Sequence, residues 1–356
     1  MGAVVGVNFR DLIPDNVRRQ IKDLRELRGK VIALDAYNAL YQFLAAIRQP
    51  DGTPLMDRRG RVTSHLSGLF YRTINLVEHG IKPVYVFDGK PPELKQAEIE
   101  RRRARREEAA EKARRARAEG RVEEARKYAM QAVRLTDEMV EPAKRLLEAM
   151  GIPYVQAPAE GEAQAAHIAS KGDAWGVGSQ DYDSLLFGAP RLVRNLAITG
   201  RRKLPGRDVY VEVLPEVIEL DVLLKTLGIT REQLVDIAIL IGTDYNPDGV
   251  EGVGPKTAYQ LIKRYGSLEK ALKVLSHAKF PEDPLKIRNY FLNPRVTDEY
   301  EIRWNEPDEK AIVAILVNEY DFSKERVVNA VQRLKKAYRE HLRGRVTSLD
   351  MWFRKR

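Results

Sequence analysis

The chain has 356 residues, 44% of them hydrophobic, with no cysteine, five histidines and a net charge of +10. That excludes disulfides, zinc–thiolate sites and iron–sulfur clusters, leaves oxygen ligands and hence Mg²⁺ or Mn²⁺ for any metal, and points to a polyanionic partner. No apolar run approaches ~20 residues, so no membrane span is expected, and Met1-Gly2-Ala3-Val4-Val5-Gly6 lacks the basic flank and cleavage site of a leader.

In chain order, residues 10–28 read as a helix ending at Gly29. Lys30-Val31-Ile32-Ala33-Leu34-Asp35 is a short apolar run closed by a carboxylate, the pattern of a buried strand. A helix from Ala36 to Ile47 leads through a turn-rich loop with Pro50, Gly52, Pro54 and Gly60 to a second helix, Val62 to His79. Lys82 to Asp88 is again an apolar strand with an acid at its end.

Residues 90–135 differ in kind. They carry a net +6, and the last 24 residues +7, so the remainder of the chain is net acidic. Between Ile99 and Val122 no apolar residue larger than Ala occurs, so this stretch has no face for a core. It reads as a mobile basic helical element over the site, two helices broken near Gly120, the alternative being a solvated helix held by i,i+4 charge pairs or a partly disordered segment. Amphipathic character resumes around Met139–Met150, and Ile152–Gln156 and Ala174–Ser179 supply two more strands. Arg191–Leu196 and Asp208–Val213 read as an antiparallel pair joined across Gly200 and Gly206; from Leu220 to about Arg343 the pattern is helical.

Strands alternating with helices imply an α/β fold with a mostly parallel central sheet, whose ligands bind beyond the carboxyl ends of the strands. Asp35, Asp88, the pair Glu160 and Glu162, and the pair Asp181 and Asp183 all fall at such ends. A single Asp there is commonly a turn former or helix cap. Six acids from four strands point instead to divalent cations, because like charges aimed at one place repel unless neutralised. Asp244, where an apolar helix ends, precedes the glycine-rich Gly249-Val250-Glu251-Gly252-Val253-Gly254-Pro255-Lys256-Thr257. Pro255 stands where a phosphate-binding loop needs Lys, so ATP binding is not expected. A glycine hairpin opening a helix instead offers backbone N–H groups of Gly252 and Gly254, with Lys256, to a duplex backbone.

These segments together resemble the flap endonucleases of the XPG family of structure-specific 5′ nucleases. The likeness rests on Ile32-Ala33-Leu34-Asp35-Ala36, Val86-Phe87-Asp88-Gly89-Lys90-Pro91-Pro92, Ala157-Pro158-Ala159-Glu160-Gly161-Glu162-Ala163-Gln164, Ser179-Gln180-Asp181-Tyr182-Asp183 and Gly242-Thr243-Asp244-Tyr245 with its hairpin. The resemblance implies that Asp35, Asp88, Glu160, Glu162, Asp181, Asp183 and Asp244 hold two Mg²⁺ ions, with Mn²⁺ as a substitute. It makes Lys95 and Arg102 the pair on the scissile phosphate, the insertion an arch for the 5′ strand, and Tyr41 an aromatic that stacks on a base. It brings Gly2 to the active site and places Arg48 and Thr63 in a pocket for a one-nucleotide 3′ flap. The end, Val346-Thr347-Ser348-Leu349-Asp350-Met351-Trp352-Phe353, is similar to a sliding-clamp (PCNA) box with Leu349, Trp352 and Phe353 as the plug and Val346 in place of the usual Gln.

The expected organisation is a nuclease region over 1–98, a basic arch over 99–136, completion of the sheet over 137–219, a helical region with the duplex-binding hairpin over 220–343, and a clamp-binding tail over 344–356. The expected activity is two-metal-ion cleavage at the base of 5′ flaps in replication and repair, with accompanying 5′–3′ exonuclease activity, by a cytoplasmic monomer of archaeal type that binds branched DNA and no membrane. The rival reading is a non-catalytic scaffold that brings partners to the clamp, and seven acids that repel phosphate argue against it.

Overall fold

The computed structural model describes residues 7, 9–49, 52–197, 200–203 and 210–343. Gly2 and the box residues Val346, Leu349, Trp352 and Phe353 lie outside the described residues. The nuclease half runs β1 (Arg18–Gln20), β2 (Val31–Asp35), α1 (Ala36–Ala46), α2 (Ser64–Glu78), β3 (Lys82–Phe87), α3 (Gln96–Ala118), α4 (Val122–Gln131), α5 (Asp137–Ala149), β4 (Tyr154–Gln156), α6 (Gly161–Ser170), β5 (Gly176–Gly178) and α7 (Asp183–Leu186). Then come β6 (Arg191–Arg194), β7 (Gly200–Lys203), β8 (Tyr210–Val213), β9 (Glu216–Glu219), α8 (Leu220–Leu227), α9 (Arg231–Ile241), α10 (Pro255–Tyr265), α11 (Leu268–Leu272), α12 (Pro284–Leu292), α13 (Glu309–Val313) and α14 (Lys324–Ala337).

Seven strands form one sheet in the order β1-β9-β6-β5-β2-β3-β4. The five from β6 to β4 are parallel, and β9 and β1 add an antiparallel edge. From β2 the chain moves to β3 and β4 on one side, then returns through β5 on the other. The switch point therefore lies between β2 and β5, where a crevice opens at the strand ends.

Period-two alternation divides the core between the two faces. Ala33, Val84, Val86 and Val177 face one layer with residues of α6 to α10 and α12. Ile32, Leu34, Tyr85 and Phe87 face the other, with residues of α1, α2, α5, α13 and α14. Within the region expected over 220–343, α13 and α14 thus share a core with the first helices of the chain.

A segment without regular structure, residues 293–308, carries the chain back across the molecule. Gln164 of α6 brackets Thr297, its amide nitrogen donating to the Thr297 carbonyl and its oxygen accepting from the Thr297 N–H, both at 2.8 Å. The Trp304 indole donates to the Pro83 carbonyl at 3.0 Å, and the Asn305 N–H to Gly151 at 2.9 Å.

Two expectations need correction. Residues 10–28 are not one helix; they form short 3₁₀ turns at Asp15–Val17 and Leu24–Leu27 around β1. Arg18–Gln20 pairs with Glu216–Ile218, so a partner some 200 residues away overrides the local pattern. Nor does β6 pair with residues 208–213; its antiparallel partner is β9, while β7 and β8 form a hairpin of their own.

The basic insertion is two helices, turning at Gly120 with φ +72°. They pack on each other through small residues, burying Ala109, Ala116 and Ala125.

Candidate metal-dependent active site

Each strand-end acid is delivered by the turn its strand enters. Asp35 ends β2 and caps α1, its Oδ1 accepting from the Asn38 N–H at 3.0 Å. Asp88 follows β3 and accepts from the Gly161 N–H at 2.6 Å. A Cβ at Gly161 would come within 2.8 Å of the Asp88 Oδ1, so the backbone approaches this close only as glycine. Glu160 and Glu162 open α6, where the Ser179 hydroxyl donates to Glu162 at 2.6 Å. Asp181 accepts from the Asn38 side chain at 3.1 Å, and Asp183 from the Val7 N–H at 2.8 Å. Asp244 arrives from the loop after α9.

Lys95 and Arg102, at the foot of the basic insertion, enter the same cluster. Lys95 donates to the Glu160 Oε1 and lies 3.1 Å from the Asp244 Oδ2. Arg102 donates to the Asp244 Oδ1 through Nη2 and to Glu98, one turn earlier on α3, through Nε at 2.9 Å.

The seven carboxylates form one electrostatic group. Asp35, Glu160, Asp183 and Asp244 are buried. Burial, then the charge of Asp88, pushes the Asp35 carboxyl up to about 7. Burial, then Asp244, does the same to Asp183, up to about 7. Asp88 is pushed up to about 6 by burial against the opposing pull of Lys95. Glu162 and Asp181 are raised well above the carboxylate range by burial first, then by the charge of Asp181 on Glu162 and of Asp183 on Asp181.

Seven acids against two side-chain cations leave a surplus of negative charge close to what two divalent ions supply. The donor set fits hard cations: all oxygen, nearly all carboxylate, with each acid steadied by a donor of its own. Among the described residues no three His, Asp or Glu side chains are already gathered closely enough to hold an ion. Lys95 pairs with Glu160 and Asp244 and Arg102 with Asp244, so two cations stand among the acids.

Residues 9–109 match the XPG N-terminal domain and residues 151–244 the XPG I-region. Flap endonuclease 1 of Hyperthermus butylicus is 66% identical over 351 residues, 99% of this chain and 100% of that protein. The chain belongs to the flap endonuclease 1 family. It is a structure-specific nuclease, hence a phosphodiester hydrolase. Its structure matches the flap endonuclease-1 of Methanococcus jannaschii with a TM-score of 0.74 at 44% identity, covering 94% of this chain and 99% of that one. It also matches the catalytic core of Rad2 in complex with DNA substrate, with a TM-score of 0.67 at 25% identity, covering 92% of this chain and 100% of that one.

For a flap endonuclease the remaining candidates sit as follows. Gly252 and Gly254 are exposed at the hairpin, Gly254 caps α10, Pro255 is its first residue, and Lys256 is exposed. Gly252 has φ +76°, which favours glycine, and open space around it. Tyr41 is half-buried rather than in the core, and the Arg106 guanidinium of α3 lies 5.2 Å from its ring centre.

Arg48 donates to the carbonyls of Leu44 at 3.1 Å, Gly52 at 2.8 Å and Ala129 at 3.2 Å. It brackets α1, the following loop and α4. Thr63 is buried at the start of α2 without a capping hydrogen bond. The structure does not bring these two to the acidic cluster's hydrogen bonds.

Sequence reading missed two participants. Glu98 holds Arg102 from within the charge run. Tyr245 donates its phenol to the Glu160 Oε2; burial first, then the Glu160 charge, raises its pKa well above the usual phenol value.

Proposed function

We propose that this structure-specific 5′ flap nuclease cuts the phosphodiester at the base of the flap with two divalent metal ions, Mg²⁺ or Mn²⁺. They would be held, directly or through water, by Asp35, Asp88, Glu160, Glu162, Asp181, Asp183 and Asp244. The observation that carries this reading is the surplus of buried, mutually repelling carboxylates at the switch point of the sheet. A pair of bound divalent ions supplies Lewis acidity at the attacking and leaving oxygens of an in-line displacement. The chain's own residues do the rest. Lys95 and Arg102, released from Glu160 and Asp244, neutralise charge building on the scissile phosphate. The hairpin at Gly252 to Lys256 grips the duplex backbone without reading bases. Tyr41 offers a ring face to the terminal base, and α3 with α4 covers the single strand. Leu349, Trp352 and Phe353 form the plug for a sliding clamp.

The test is Asp181→Ala on labelled 5′-flap, double-flap, nicked and single-stranded DNA, with and without Mg²⁺. The expected result is loss of Mg²⁺-dependent cleavage with flap binding retained. Cleavage at a comparable rate by the variant would refute the metal assignment. Failure of the parent chain to cut any branched substrate would turn the reading towards a binding scaffold.

A further inference from the structure

We propose that Tyr245 is a positioning residue for Glu160, and that the aromatic cluster behind it makes the docking of the helical region set the geometry of the acidic site. The inference rests on the metal reading given above.

Tyr245 follows Asp244 in a turn tied at several points. The backbones of Thr243 and Asn246 bond to each other in both directions, the Thr243 hydroxyl donates to the Asn246 Oδ1 at 2.6 Å, and the Asn246 amide donates to the Ile239 carbonyl at 2.6 Å. The Tyr245 N–H donates to the Thr243 hydroxyl at 3.1 Å. The ring is 3% exposed and meets Tyr290 and Phe291 of α12 edge-on, at 5.1 and 5.2 Å between centres. Phe291 in turn meets Phe187, just beyond α7, at 5.0 Å. One packed cluster therefore joins α12, the Asp244 turn and the end of the segment that carries Asp181 and Asp183.

From that seat the Tyr245 hydroxyl reaches across the crevice to Glu160. Lys95 bonds one Glu160 oxygen and Tyr245 the other, so a side chain with three rotatable bonds is held at both ends. The two donors differ in what they do to a ligand. Lys95 is a cation that competes with a metal for the carboxylate charge. A phenol is neutral; it orients the carboxylate and leaves the charge available, as outer partners of metal ligands do. The Tyr290 hydroxyl beside it is also buried and lies near Tyr245 and Glu160, but it donates no hydrogen bond to Glu160. Tyr290→Phe thus removes an equivalent hydroxyl from the same cluster without removing a bond to Glu160.

The experiment uses the full chain and measures Mn²⁺ binding without DNA by electron paramagnetic resonance. Alongside it run half-saturating Mg²⁺ for cleavage of a 5′ flap, flap affinity without divalent metal, and melting temperature. Tyr245→Phe is expected to weaken Mn²⁺ binding and raise half-saturating Mg²⁺ about 10-fold or more, the usual loss for an outer partner, with flap affinity unchanged. Tyr290→Phe is expected to match the parent in all three. A double-mutant cycle with Glu160→Ala guards against general loosening: without Glu160, Tyr245→Phe should change Mn²⁺ binding no further. Parent-like Mn²⁺ binding by Tyr245→Phe, an equal loss in Tyr290→Phe, or additivity in the cycle would overturn this inference alone. Absence of Mn²⁺ binding by the parent would overturn the metal reading and this inference with it.

Discussion

Asp183→Asn in the metal-free protein at pH 8 isolates the electrostatic cost of the site. Burial and the Asp244 charge raise the Asp183 carboxyl from the usual 3.8 to about 7. At about 1.4 kcal/mol per pH unit, keeping it ionised in the fold costs about 4 kcal/mol. The amide retains an oxygen to accept from the Val7 N–H at 2.8 Å, so the substitution removes charge and keeps the contact. With an unfolding entropy of about 2 cal/mol/K per residue, 356 residues give about 0.75 kcal/mol/K, and the relief amounts to about 5 °C in melting temperature. The sign follows from linkage. A group whose pKa is raised on folding contributes its full stability below about pH 4, and that contribution is lost as pH rises through about 7. The variant should therefore melt with the parent at pH 4 and above it at pH 8, in chelator, by differential scanning calorimetry. Added Mg²⁺ should raise the parent's melting temperature more than the variant's. A variant no more stable than the parent at pH 8, or an advantage independent of pH, would refute the reasoning.

Three further outcomes are expected. Lys95→Ala and Arg102→Ala should each lower single-turnover cleavage by about 10²–10³-fold with little change in flap affinity, and equal losses in both would make them binding residues only. Asp236 of α9 is fully buried, bonding the Leu268 N–H at 3.0 Å and pairing with Arg288 at 3.1 Å; Asp236→Ala orphans that N–H and leaves Arg288 only its more exposed partner Glu269, and should destabilise the fold by about 2 kcal/mol in denaturant titration. Trp352→Ala should weaken binding to a sliding clamp in calorimetry while cleavage of free flap DNA is unchanged.

Much of this molecule is legible in its sequence because its two strongest signals are local. An apolar run ending in an acid marks β2 and β3, and paired acids at i and i+2 mark the openings of α6 and α7. The glycines and Pro255 of the hairpin are equally local. Failure came where a distant partner decides the outcome. Arg18–Gln20 has no strand pattern of its own and is extended because β9 lies beside it. The partner of β6 was assigned to the nearest candidate, whereas the sheet takes the later Glu216–Glu219. The site residues follow the same division. The seven acids announce themselves by position, but Glu98 is one of many acids in a charge run, marked only by its spacing of four from Arg102. Tyr245 has a visible signal in its place next to Asp244, but nothing local links it to Glu160, 85 residues earlier. Arg48 has the charge for a nucleic-acid contact, and its sequence gives no sign of the three backbone carbonyls it also brackets.

The return of the chain through residues 293–308 has a mechanical consequence. Because α13 and α14 sit in the core with α2 and α5, the helices from α8 to α12 leave the sheet at β9 and are tied back to it at Thr297, Trp304 and Asn305. A module on a single linker swivels and absorbs torque, whereas one clamped at both ends passes it on. The helices from α8 to α12, with the hairpin at Gly252 to Lys256, are therefore held from two sides: through β9 at their start, and through α6, Pro83 and Gly151 at their end.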